Sequence, residues 1–153
     1  MARNAYIASP IGTTINTTAE AKTHLRVDFA DDDTYIDSLC LVAKQTIENY
    51  CNLFLIRTTV IQYCDKWNDT KVLYFSPSLN SGAVAVASIT YYDSDNVQQT
   101  WASTNYLVDK YSAPAGISLA VGKDYPNITD RIGGIAVSYT VGATAASSIP
   151  DQL

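Results

Sequence analysis

The chain has a single histidine, one methionine, three cysteines and only two glutamates, Glu20 and Glu48, among its 153 residues. One histidine and three cysteines without a CxxC spacing leave no zinc-binding set, so no metal is expected. The odd cysteine count argues against a disulfide framework. Cys40, Cys51 and Cys64 read as buried free thiols, with Cys40 and Cys51 on the apolar side of a predicted helix. No apolar run reaches the roughly 18 residues that a membrane helix needs. The first residues lack the apolar core of a secretory signal, so no membrane partner is expected and the three Asn-x-Thr sequons at Asn16, Asn68 and Asn127 read as chance matches. A basic stripe is also missing: ten Lys and Arg are scattered among fifteen acids for a net charge of −5, which argues against a free-standing nucleic-acid binder.

What is present is a globular composition, 47% apolar, on a length that fits one domain or a domain with a small appendage. Eleven tyrosines are an unusual aromatic choice. An apolar ring with a polar tip suits half-buried strands and interfaces. The acid is nearly all Asp, which favours turns and helix starts.

Residues 1–16 are small, polar and β-branched, and read as an extended arm ordered against a partner. Thr17 or Thr18 caps a short helix over about 18–26, with Glu20 near the positive end of its dipole. Asp31-Asp32-Asp33 looks like acid or metal chemistry, but it directly precedes an apolar-periodic segment and reads as a helix start. Ile36, Leu39, Cys40, Ala43, Ile47, Tyr50 and Cys51 mark one face of that second helix. Asp37, Lys44, Gln45 and Glu48 mark the other face, and Asn52 is its C-cap. From Leu55 onward the pattern is β: strands over 56–67, 72–75, 84–92, 97–101, 106–109, 116–119 and 135–141, with Asp93-Ser94-Asp95-Asn96 as a hairpin turn. The expected fold class is α+β: an N-terminal helical hairpin packed with a small antiparallel β-sandwich or rolled sheet. The expected organisation is an arm over 1–16, one domain over 17–142 (helices in 18–52, β-region in 55–142), and a tail over 143–153 that reads as the truncated start of a helix at Pro150.

Sites for catalysis do not assemble on paper. Asp93-x-Asp95 fails as a calcium loop, because Gln98 and Thr104 stand where Gly and Glu are required. No GxSxG, P-loop or HExxH occurs. His24 lies on a short polar helix and reads as a solvated or interface residue. No nucleophile–base pair can be named, so no enzyme and no cofactor are expected.

The order Glu20-Ala21-Lys22-x-His24-Leu25-Arg26-Val27-Asp28, the acidic run 31–33, the helix from Tyr35 to Asn52 and the closing Ile135-Ala136-Val137-Ser138-Tyr139-Thr140-Val141-Gly142 resemble the head–tail connector (adaptor) proteins of long-tailed phages, prophages and gene transfer agents. His24-Leu25-Arg26-Val27-Asp28 followed by acids is the most specific part. The resemblance implies a structural virion protein at the neck, made in the host cytoplasm: a homo-oligomeric ring, usually dodecameric, joining the portal protein to a stopper or tail-terminator protein. DNA passes through its centre without specific binding. A conduit should avoid a basic lining, since phosphate contacts add salt-dependent affinity. Family members continue after the Ile-Pro step into a C-terminal helix that packs on the first helices, whereas this sequence stops at Leu153. Expected partner contacts are Tyr6 and Ile7 in the arm and Ile149, Pro150 and Leu153 in the terminal stretch. The alternative is a β-sandwich binding module of a tail fibre or surface protein, with Trp67, Trp101 or tyrosines exposed as stacking platforms.

Overall fold

The computed structural model describes residues 5–11, 15–51, 54–67, 72–75, 85–112 and 115–143. Chain order is β1 (Ala5–Pro10), α1 (Thr18–Leu25), α2 (Asp33–Cys51), β2 (Thr58–Cys64), β3 (Val72–Tyr74), β4 (Ala85–Tyr92), β5 (Gln98–Thr100), a 3-10 turn (Ser103–Asn105), β6 (Tyr106–Asp109), β7 (Gly116–Leu119) and β8 (Ile135–Val141). The class is α+β, as expected.

Alternation builds the larger sheet, ordered β1-β2-β8-β4-β5 with every pairing antiparallel. Thr58, Val60, Gln62 and Cys64 of β2 point inward, and their register partners are Val141, Tyr139, Val137 and Ile135 of β8, also inward. A period-2 pattern in both strands leaves one register that buries both inward rows. The smaller sheet is ordered β3-β7-β6. Its inward residues Leu73, Tyr106 and Ile117 join the core of the larger sheet, and the Phe75 ring just beyond β3 stacks on Tyr139 at 4.4 Å. Gln62 is fully buried and ties the sheets together: its Nε2 donates to the Tyr74 carbonyl (3.1 Å), and its Oε1 accepts from the Tyr139 hydroxyl (3.3 Å).

Residues 5–10 of the arm form a strand that pairs with β2 of this same chain, not with a partner. Strand β2 ends earlier than expected. The Asp65 carboxylate leaves the ladder to accept from the Gly133 N–H (2.7 Å), and Trp67 turns into an aromatic cluster.

The helices follow their local chemistry. Thr17 and Glu20 form a reciprocal capping box, the Glu20 N–H donating to Thr17 Oγ1 (3.2 Å) and the Thr17 N–H to Glu20 Oε2 (2.8 Å). Arg26 ends α1 in the left-handed region at φ 58°, and the Val27 N–H reaches back to the Lys22 carbonyl (3.0 Å). The Asp32 carbonyl accepts from the Ile36 N–H (2.9 Å) as α2 opens, so the acidic run is a helix start. Asp33 then receives Lys22 Nζ at 2.6 Å, and Asp37 accepts from Thr18 Oγ1 at 2.6 Å. These two contacts hold α1 against α2.

The packing of α2 corrects the sequence reading. Of its expected apolar face only Ile36 is buried, whereas Leu39, Ile47 and Tyr50 are exposed. The covered side is the row Ile36, Cys40, Lys44 and Glu48. The Glu48 carboxylate lies 3.6 Å from Lys44 Nζ and accepts from the Leu55 N–H (2.9 Å), so a polar residue is drawn inward to satisfy the backbone just beyond the helix. The cysteine reading changes with it: Cys64 is buried, but Cys40 is half-buried and Cys51 exposed. Asn52 lies outside the described residues.

Candidate interaction surface

Among the described residues, side chains that do chemistry do not converge. His24 stands exposed on α1. Among the described residues no group of three or more His, Cys, Asp or Glu could hold a metal ion. Asp93 is a turn residue: its carboxylate accepts from the N–H groups of Asp95 (3.1 Å) and Val97 (2.9 Å) and from Gln99 Nε2 (2.8 Å). The Val97 hydrogen bond, and then the Gln99 one, hold its carboxyl below the ordinary value. Asp109 is held low by Ser112 and the Tyr111 N–H, and Glu20 by Thr17. Burial pushes the Cys64 thiol up to about 11, which makes it an inert core residue.

Among the described residues, two shallow concavities stand out. One, about 650 Å³, lies along α1 and the start of α2; of the two cations on its wall, Lys22 and Arg26, Lys22 is paired with Asp33. The other, about 550 Å³, crosses the outer face of the larger sheet over Ser88, Thr90, Ala136 and Ser138. Its rim carries Tyr92 with the Arg131 guanidinium 3.7 Å from the ring centre, and Arg131 Nη1 donates to Asn96 Oδ1 (2.9 Å). Hydroxyls and small side chains without a base make a contact surface, not a reaction centre.

The tryptophans do not form platforms. Trp101 is 5% exposed, and Trp67 packs half-buried between it (5.0 Å between ring centres) and Tyr125, stacked at 4.8 Å. The Trp67 indole N–H donates to the Pro126 carbonyl (3.0 Å). Both residues pack in or against the core, which removes the tryptophan platforms of the tail-fibre alternative.

Of the expected contact residues, Tyr6 and Ile7 sit on β1, paired through their backbones with Gln62 and Ile61. β1 is an edge strand of the larger sheet. Ile149, Pro150 and Leu153 lie outside the described residues. Sequence reasoning missed the apolar surface left on α2: Tyr35, Leu39, Val42, Ile47 and Tyr50 all face solvent. Its signal was present in the helical spacing, but the stripe was assigned to the core.

An α+β subunit with shallow concavities and an exposed apolar helix face is suited to association with other chains. The match to the family model of phage gp6-like head-tail connector proteins spans residues 15–121, and the chain belongs to that family. It is therefore a structural protein of the virion neck and not an enzyme. Its fold is similar to a chain in the virion of a native gene transfer agent particle, with a TM-score of 0.70 at 19% identity over 94% of this chain and 76% of that one. It is also similar to a chain in the neck of an empty gene transfer agent particle computed with C6 symmetry, with a TM-score of 0.67 at 18% identity over 94% and 75% of the two chains. No curated protein matches the chain.

Proposed function

We propose that this chain is the adaptor subunit of the neck: copies assemble into a dodecameric ring beneath the portal protein and above a stopper or tail-terminator protein. The family match over residues 15–121 carries this reading. A dodecamer also accommodates the sixfold symmetry with which the related neck was computed. DNA passes through the ring without specific binding, in keeping with a net charge of −5 and scattered cations. Edge strand β1 around Tyr6 and Ile7, and the terminal stretch with Ile149, Pro150 and Leu153, are the proposed contacts with neighbouring proteins. Among the described residues β1 pairs with a strand on one side only, and strand edges of this kind recruit partners.

Electron microscopy of the purified chain mixed with its portal tests the role. The expected result is an additional ring seated on the portal, absent from either protein alone. A chain that stays monomeric and ignores both portal and stopper overturns it.

A further inference from the structure

Helix α2 leaves its more apolar side in water. Tyr35, Leu39, Val42, Ile47 and Tyr50 are each at least 41% exposed. Their spacing keeps them on one side along roughly 22 Å of helix, and no charged residue interrupts the strip. The opposite row faces the chain's own body. A continuous apolar strip of this length marks an association surface.

The same molecule carries a surface of complementary character. On the outer face of β3-β7-β6, Tyr74 and Leu107 are 47% and 57% exposed, and Tyr111 at the hairpin tip beyond β6 is 95% exposed. Lys110 stands beside it in solvent. Both regions carry net negative charge, the helical one more strongly. Residues 15–51 hold seven carboxylates against three cations, whereas residues 57–143 hold seven against six. Exposed Asp31 and Asp32 mark the acidic end of the α2 strip, and exposed Lys110, next to the turn carboxylate Asp109, ends the other apolar surface.

We infer that the α2 strip docks a second copy of this chain, received by the outer face of that copy's β6, with Asp31 and Asp32 of one copy towards Lys110 of the next. Two different patches meet, so the contact is heterologous, and repetition around an axis closes a ring. The inference rests on the ring reading above and names the surfaces that would build it.

The test places a photoreactive benzoylphenylalanine at Leu39 of the full chain. Isotopically light and heavy preparations are mixed and irradiated, alone and on the portal. The expected products are light–heavy cross-links to the peptide carrying residues 106–112, increasing with concentration. The variant pair Leu39→Asp and Ile47→Asp should raise the concentration for half-association at least about tenfold. Its circular dichroism should be unchanged, because both side chains are exposed. Lys110→Glu should weaken association, and Asp31→Lys with Asp32→Lys on the other copy should restore it. Cross-links confined to the same chain would mean that the strip is covered internally, and cross-links to the portal would give it a different occupant. Either result overturns the inference, as does association indifferent to Leu39→Asp. If rings form on the portal while position 39 links elsewhere, the adaptor role stands and this inference falls. If no ring forms on the portal, the role itself falls.

Discussion

Gly142 closes β8 at φ 91°, and a Cβ at that position would run into the Ile56 carbonyl oxygen. Ile56 pairs with Ala143 in an isolated parallel bridge, with the Arg57 N–H donating to the Ala143 carbonyl (2.9 Å) and the Ala143 N–H to the Leu55 carbonyl (3.1 Å). The glycine is therefore needed twice, for its backbone conformation and for the close approach of two chains. Gly142→Ala should cost about 2–4 kcal/mol, read from urea unfolding midpoints. A loss below about 1 kcal/mol would mean that the 55–57 and 142–143 segments separate easily. Val141-Gly142 was readable as a strand end from sequence. The collision with Ile56 was not, because it depends on two segments more than eighty residues apart in sequence.

At the scale of elements, three surface carboxylates hold local structure together: Glu20 caps α1, Asp93 shapes the β4–β5 turn, and Asp109 organises the turn after β6. Each has its pKa lowered by hydrogen bonds that the unfolded chain lacks. A depressed folded-state pKa stabilises the fold above the unfolded value and is lost as pH falls through the folded value. Stability should therefore be flat near neutral pH and decline from about pH 4 downward. Asp93→Asn should make that decline shallower in denaturant titrations at stepped pH, and an unchanged slope would remove Asp93 from the account. The elements themselves were legible. Strands 106–109, 116–119 and 135–141 have the expected bounds, since alternation and turn residues are local signals. The long strand expected over 56–67 shrank to 58–64, because Asp65 and Trp67 serve tertiary partners.

For the whole molecule, the two sheets share one core, while the helical pair is held by fewer ties: the Lys22–Asp33 ion pair between the helices and the Glu48 carboxylate on the Leu55 N–H. Local opening follows the density of buried apolar contacts. Amides of α1 and α2 should exchange with solvent at least tenfold faster than those of β2 and β8, by about 1.4 kcal/mol or more of opening free energy. Association through the proposed contact should slow the amides of the helices and of residues 106–112, and leave β2 and β8 unchanged. Equal protection of helices and core strands in the isolated chain would contradict this division.

The sequence by itself determined which segments from Thr18 onward are helix and strand, that the acidic run opens a helix, and which family the order of motifs resembles. These are properties of near neighbours: caps, periodicity and turn residues. Only the tertiary structure decided that Trp67 and Trp101 pack in or against the core, that β1 joins the sheet of its own chain, and that α2 presents its apolar strip to solvent. A helical apolar pattern states that a face is suited to burial, but not whether the partner lies in the same chain. That is decided by where the rest of the fold lies, and here Glu48, bound to the backbone at Leu55, turns the opposite side of α2 inward.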